Sequence, residues 1–414
     1  MDNRFDLVVV GAGIVGLAAA RAVLRREPSL RIVVLERHDG VAAGQTGHNS
    51  GVIHSGIYYK PGSLKARLCR DGRARLIEEC TARGVEFRLS GKIIVATTEA
   101  EDERLDGLLE RGRENGLEGV ERIGPDRMRE IEPQVAGRAA LRVPEAGVVD
   151  YGEVCAMFAE DLREHGVEIR FGWRVDSAHP QGGGLKVVTP RGTVHTRALL
   201  NCAGLYCDEV ARRSGARVDV RIVPFRGEYW LLRPERADLV KALIYPVPDP
   251  DFPFLGVHLT RDVHGVVDAG PNAVLALARE GYTWGDVDVA HLAKTFAFPG
   301  ALRLFRKHWR QGLDEMKRSF DLERLVRDLQ RLVPAVQPDD LVPTHAGVRA
   351  QAVGRDGKLL DDFHFVDGPH AVHVLNAPSP AATASLAIGE AVADRVQESG
   401  ILEGIGTTTG ATTR

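Results

Sequence analysis

The sequence is poor in cysteine and contains no long apolar run. Its 414 residues hold five cysteines, Cys69, Cys80, Cys155, Cys202 and Cys207, with neither a CxxC pair nor a paired rhythm. That pattern excludes a disulfide framework and fits a reducing compartment. Cys202 and Cys207 fall near a predicted cofactor strand, yet closeness in sequence gives neither a redox role. No apolar stretch is long enough to cross a bilayer, and Met1–Phe5 lacks a signal-peptide core. A soluble, cytoplasmic protein is expected, with peripheral attachment at the inner face of the cell membrane as the open alternative. A charge excess is also missing: 54 basic and 57 acidic residues leave −3, which argues against nucleic acid as a partner. With no H-E-x-x-H motif and no compact cysteine and histidine set, no metal is expected. Nothing in the sequence bears on oligomeric state.

What is present suffices for two packed units with a ligand crevice between them. The first is α/β. Leu7–Val10 reads as an apolar strand, followed by G-A-G-I-V-G and an Ala-rich helix through about Leu24. Strand, glycine turn and helix are the context of a dinucleotide fingerprint. Gly11 permits the turn, Gly13 admits the pyrophosphate to the backbone, and Gly16 lets helix and sheet approach. From Ile14 onward the helix start offers unpaired amides to phosphate. Arg31–Leu35 is the next strand, and Glu36 at its end can accept from both ribose hydroxyls, with Arg37 beside it.

NAD and FAD both satisfy these features. The loop Q-T-G-H-N-S-G-V-I-H-S-G-I-Y-Y, beginning at Gln45, favours a flavin, because small residues allow close approach while Thr46, Asn49 and Ser50 can donate. Later segments return to the cofactor: strands at Val167–Phe171 and Leu185–Thr189, with Val175 between them, then Thr196–Ala203 running into Gly204. Ala203 and Gly204 leave steric room there. Thr344–Gln351 contributes Gly347. The turn N-A-P-S-P-A-A-T, with Pro378, Ser379, Ala381, Ala382 and Thr383, precedes a helix from about Ala384 to Val396. Such a helix can direct its positive end toward a reducible ring; ordinary C-terminal packing is the alternative.

Between these pieces the chain is strand-rich at Gly91–Thr97 and over Gly215–Ala278, an antiparallel sheet covering the cofactor. Leu302–Leu332 is predicted helical. Phe305, Trp309, Leu313, Met316 and Phe320 recur at helical spacing, for which core packing is the expectation, with a membrane-surface contact through Arg303, Arg306, Lys307, His308 and Arg310 as the minority reading. His258 alternates against Val257 and Leu259 in a strand, so it is a candidate base if its face points inward; a core or solvent-facing histidine remains as open. His54, in a cluster with Tyr58, Tyr59 and Lys60, can approach the cofactor or substrate or serve as a structural donor. Arg349, with guanidinium geometry suited to a carboxylate, is the preferred clamp over Arg67 and Lys65, with a salt bridge as its alternative.

Taken together, G-A-G-I-V-G with Glu36, the Gln45 loop, K-A-R-L-C-R-D-G, F-R-G-E-Y, L-G-V-H-L-T-R, G-P-N-A-V-L-A, A-G-V-R-A and N-A-P-S-P-A-A-T-A-S-L-A-I-G resemble the L-2-hydroxyglutarate oxidase or dehydrogenase family. That family lies within the D-amino-acid-oxidase-like flavoproteins, and the likeness runs from Phe5 to about Val396. It implies a Rossmann-like FAD-binding domain with an antiparallel-sheet substrate domain, the glutathione-reductase and D-amino-acid-oxidase architecture. The expected cofactor segments are 1–90, 150–214 and 341–400. The expected substrate segments are 91–149 and 215–340, with a flexible tail over 401–414. The implied reaction is FAD-linked oxidation of L-2-hydroxyglutarate to 2-oxoglutarate, with oxygen or a membrane quinone as acceptor; another 2-hydroxy acid or an amino acid is the alternative substrate. By the same likeness His258 and His54 fall on the catalytic side. Arg349 would hold one carboxylate of the small dicarboxylic acid and Arg261 the other, with Tyr59 and Tyr245 alongside. Ala381 and Ala382 stand where the wider group commonly has glycine.

Overall fold

A computed structural model of the chain describes residues 3–250, 256–270 and 272–402. Most of the expected tail, 403–414, therefore lies outside the described residues. The apolar run Arg4–Val10 lies within an eight-stranded sheet, with Ile32–Leu35 parallel on one side and Gly192–Asn201 parallel on the other. Glu168–Arg170 continues the sheet beyond Ile32–Leu35. All four residues of Ile32–Leu35 are buried, as expected of a parallel strand covered on both faces. Gly192–Asn201 is long enough to serve two further partners: its early part pairs antiparallel with Gly184–Thr189, and its last residues pair in parallel with Ala371–Asn376.

The helix Ile14–Arg26 buries Ala18, Ala19, Ala20 and Ala22, and small side chains permit a close neighbour. That neighbour is Ser385–Glu398, the last helix described. A Cβ on Gly389 would stand 2.6 Å from the Ala18 carbonyl oxygen. Glu390 adds ion pairs to Arg25 and Arg26 at 2.6 and 2.8 Å. Segments far apart in sequence thus share one core.

A second, nine-stranded sheet holds Val274–Leu275, Val220–Leu232, Val267–Gly270, His258–Arg261, Leu243–Pro246, Lys92–Ala96, Ala139–Val143 and Glu121–Ile123 in that order. It is antiparallel except where Leu243–Pro246 runs parallel to Lys92–Ala96. Every residue of Lys92–Ala96 is buried. Ile93 and Val95 enter one core with Leu325 and Leu329, while Ile94 and Ala96 enter another with Leu105 and Leu108, the two-residue alternation of a strand covered on both faces.

Two expectations change here. Leu341–Gly354 pairs along Val220–Leu232 from Val220 opposite Gly354 to Leu232 opposite Leu341, so residues 341–354 belong to the second sheet and not to the cofactor unit. An alternating segment fits either sheet by pattern, and only its pairing partner decides. The predicted helix divides into Pro299–Phe320 and Leu322–Gln330, with non-helical backbone at His308 in the first. Ala301 and Leu304 are buried in its opening turns. Phe305 packs against a small core with Ala301 and Leu304, but Trp309, Leu313 and Met316 stand 55, 48 and 45 % exposed, which overturns core packing for these three. Helical spacing reveals an apolar face without revealing what covers it. The side chain of Phe320 is outside the described residues.

A candidate active-site cavity

A cavity of about 1100 Å³ runs between the two sheets, from the glycine turn to the Leu243–Pro246 and His258–Arg261 strands. This is slightly larger than the usual small-molecule site of roughly 300–1,000 Å³. At one end Gly11 adopts φ +103°, and a Cβ on Gly16 would collide with the Gly11 carbonyl oxygen. Side chains are therefore excluded from both positions, which sets helix Ile14–Arg26 close against the strand before it. No acidic residue occupies the first turn of this helix. Its Ile14 amide donates to Thr46 Oγ1 at 3.2 Å, which docks the Gln45 loop on the helix start.

Glu36 is 7 % exposed. Its Oε2 accepts from the Ala12 amide at 2.7 Å and its Oε1 from the His38 amide at 2.9 Å. Each oxygen keeps a further lone pair for a hydroxyl. Arg37 lies 3.9 Å from the Tyr206 ring centroid and within 3.5 Å of Glu280, and Val175, Ala203 and Gly204 complete this end. Asn49 and Ser50 also line the cavity. The Asn49 side chain is spent on its own loop, however, donating to the Thr46 carbonyl and accepting from the Gly51 amide. This wall fits an FAD dinucleotide: a glycine cradle that a Cβ would close, a helix start without carboxylates for the phosphates, and a buried acidic acceptor for ribose hydroxyls.

Gly16, Gly347, Thr383 and Arg261 do not line the cavity. Gly16 packs beneath the turn, and Gly347 lies against the His48 carbonyl. Thr383 is fully buried: its hydroxyl accepts from the His54 amide at 3.0 Å, meets Tyr151 Oη at 2.9 Å and donates to the Val52 carbonyl at 3.3 Å. It is a tie between the His54 loop and the C-terminal turn. Arg261 is a correction: its Nη1 donates to the carbonyls of Ala237 and Val240 at 3.3 and 3.1 Å, fixing a backbone turn instead of facing a substrate.

The other end brings together His54, Tyr59, Tyr245, His258, Arg349, Pro378, Ser379, Ala381 and Ala382. His258 is 6 % exposed, stacks on Tyr245 at 4.0 Å and 23°, and places Nδ1 2.8 Å from the Gly256 carbonyl oxygen. A carbonyl accepts only, so Nδ1 carries the proton and Nε2 is the acceptor. Burial, with Lys92 and Arg349 nearby, lowers the His258 pKa to about 3 against the pull of that hydrogen bond. His54, whose Nε2 is 3.2 Å from Ser379 Oγ, is likewise lowered to about 3 by burial and by Lys92, His258 and Lys65. Both imidazoles are neutral at ordinary pH. Tyr245 is 2 % exposed, and burial pushes its phenol up.

Several cavity groups were not singled out from sequence. Tyr229 and Gln351 line the site beside Arg349. Lys92, 2 % exposed, lies behind the wall with Nζ 4.1 Å from the Tyr245 ring centroid and 5.1 Å from that of Tyr58. A lysine opening the apolar run K-I-I-V-A was the available signal for it.

The family model described as FAD dependent oxidoreductase matches residues 6–395. A protein of Indibacter alkaliphilus named L-2-hydroxyglutarate dehydrogenase is 47 % identical over 391 residues, covering 94 % of this chain and 98 % of that one. The Homo sapiens mitochondrial L-2-hydroxyglutarate dehydrogenase is 44 % identical over 413 residues, covering 96 and 89 %. Among solved structures, L-alpha-glycerophosphate oxidase from Mycoplasma pneumoniae, with FAD bound, superposes with a TM-score of 0.77 at 22 % identity, covering 95 % of each chain. Glycine oxidase from Geobacillus kaustophilus gives 0.71 at 19 % identity, covering 96 and 95 %. These two share the fold.

Proposed function

The chain belongs to the FAD-dependent oxidoreductase family, and we propose that it oxidises L-2-hydroxyglutarate to 2-oxoglutarate. The observation that carries this reading is one cavity joining the dinucleotide cradle to a neutral His258 and to Arg349.

Oxidation of a 2-hydroxy acid removes a hydride from C2 and a proton from the hydroxyl, leaving a ketone. Bound FAD supplies the hydride acceptor. His258 Nε2 accepts the hydroxyl proton, its tautomer fixed by the Gly256 carbonyl and its ring plane by Tyr245. A dianionic substrate raises the imidazole's proton affinity on binding, which corrects the low basicity that burial imposes. Arg349 orients a carboxylate, and Tyr59 and Tyr245 close the site around it.

Peripheral attachment at the inner membrane face and a quinone acceptor rest on a surface feature. Phe296, Leu302, Trp309, Leu313 and Met316 are exposed on two successive helices, and Arg303, Arg306, Lys307, Arg310 and Lys317 are exposed beside them. Apolar side chains flanked by cations suit an anionic lipid surface. Among the described residues no helix is long and apolar enough to cross a membrane.

Anaerobic mixing tests the reaction. L-2-hydroxyglutarate should bleach the bound flavin and its D isomer should not; bleaching by an L-amino acid alone would sink the assignment. Quinone and oxygen are then compared as acceptors, with and without anionic vesicles.

A further inference from the structure

Each end of a dicarboxylate calls for a cationic or hydrogen-bonding partner, and Arg349 on the cavity wall can serve one end. The other cations near the cavity are committed. Lys65 Nζ pairs with Asp361 at 2.9 Å, Arg37 with Glu280 and Arg213 with Glu209, Arg261 is held by backbone carbonyls, and His54 and His258 are neutral. Lys92 is different. It is 2 % exposed, and among the described residues it makes no ion pair with a carboxylate. Its Nζ lies against the rings of Tyr245 and Tyr58, both of which line the cavity. An ammonium screened from water and, among the described residues, set against aromatic faces without a carboxylate partner is a positive field directed at whatever fills the adjoining space.

Resting on the substrate reading above, we propose that Lys92 is the specificity-determining charge for the second carboxylate. It selects a dianion through the Tyr58 and Tyr245 wall while Arg349 engages the first carboxylate. A monoanionic 2-hydroxy acid satisfies Arg349 and leaves Lys92 without a counter-charge, so the buried ammonium discriminates against it.

The charge state of Lys92 gives the selection a pH dependence. The groups facing it are Tyr245 from strand Leu243–Pro246, His258 from strand His258–Arg261, Tyr58 and His54 from the loop after Ile53, and Cys69 from helix Leu64–Arg83. None of these is a carboxylate. Burial lowers the Lys92 pKa to about 7, opposed only by Cys69. The charged fraction therefore falls as pH rises through 7, and preference for the dianion falls with it. A bound dianion raises that pKa, so binding above pH 7 takes up a proton.

The experiment uses the flavin-loaded full chain as wild type, Lys92→Met and Lys92→Arg. Substrates are L-2-hydroxyglutarate and L-2-hydroxyvalerate, which replaces the distal carboxylate by a methyl group. In Lys92→Met the ratio of kcat/KM for the two should fall about 10-fold or more, chiefly through KM for L-2-hydroxyglutarate. The decline of that ratio above pH 7 should disappear, and Lys92→Arg should restore the preference. An unchanged ratio and pH profile with normal wild-type turnover overturns the assignment, whereas wild type that L-2-hydroxyglutarate cannot reduce overturns the substrate reading instead. Should Lys92→Met not retain flavin, proton uptake by wild type decides: at pH 8 glutarate should bind with proton uptake and valerate without it. Equal uptake for the two ligands overturns the proposal.

Discussion

Tyr245 and His258 stack with ring centroids 4.0 Å apart, and the strand that carries Tyr245 also packs its ring against Lys92. The proposed proton acceptor and the buried charge thus both rest on the ring of Tyr245. Displacing that ring changes the electrostatics of the other two.

Replacing His258 with alanine removes the proposed proton acceptor and touches no residue of the dinucleotide wall. Anaerobic flavin reduction by L-2-hydroxyglutarate should slow by roughly 10²–10⁴-fold at unchanged flavin content. Because His258 in the free protein is lowered to about 3, wild-type kcat/KM should show no histidine inflection near pH 6.5. Stopped-flow reduction across pH 5–8, a range set by ordinary histidine titration, checks both.

Truncating Arg349 to alanine removes a guanidinium from the cavity wall. A charge-assisted hydrogen bond is worth about 1.5–3 kcal/mol, so kcat/KM should fall roughly 10- to 150-fold. The Arg349→Lys variant should recover only part of this, since an ammonium lacks the planar fork. Steady-state kinetics with unaltered flavin content is the readout.

Glu36 is a test of the cofactor clasp. Alanine there leaves the Ala12 and His38 amides without their acceptor, at about 1–3 kcal/mol for each donor that water cannot reach. The purified variant should hold less flavin and melt earlier than wild type, and added FAD should raise its Tm.

His54 and His258 also shape acid stability. Both are lowered to about 3 in the folded chain, against 6.5 for an ordinary histidine. Between these values the unfolded chain binds protons that the folded chain refuses. Their contribution is complete above about pH 6.5 and is lost as pH falls toward 3. Urea midpoints measured from pH 7 down to pH 4 should decrease, less so in a His54→Asn variant.

The dinucleotide wall was legible because its chemistry is local. Gly11, Gly13 and Gly16 sit in one strand, turn and helix, and Glu36 comes just after the next strand, which pairs directly with the first. Arg261 was not legible, since whether a guanidinium faces a cavity or a carbonyl depends on the turn at Ala237–Val240, more than twenty residues away. Lys92 was missed for a related reason: its meaning comes from Tyr245, brought by strand pairing, and from Tyr58, brought by the loop after Ile53. The stripe at Trp309 and Leu313 was read correctly as helical and wrongly as core, because periodicity does not identify a neighbour.

The pairing of helix Ile14–Arg26 with Ser385–Glu398, and the Thr383 hydroxyl that joins the His54 loop to Tyr151, has a consequence during synthesis. The glycine turn leaves the ribosome early, but its packing partner follows some 360 residues later, on the order of tens of seconds at ~5–20 residues per second. Throughout that interval the alanine-rich face of the first helix is uncovered and the cavity lacks its C-terminal wall. Flavin capture should therefore come late in the life of each molecule, and a chain stopped before Thr383 would lack the hydroxyl that ties the His54 loop to Tyr151.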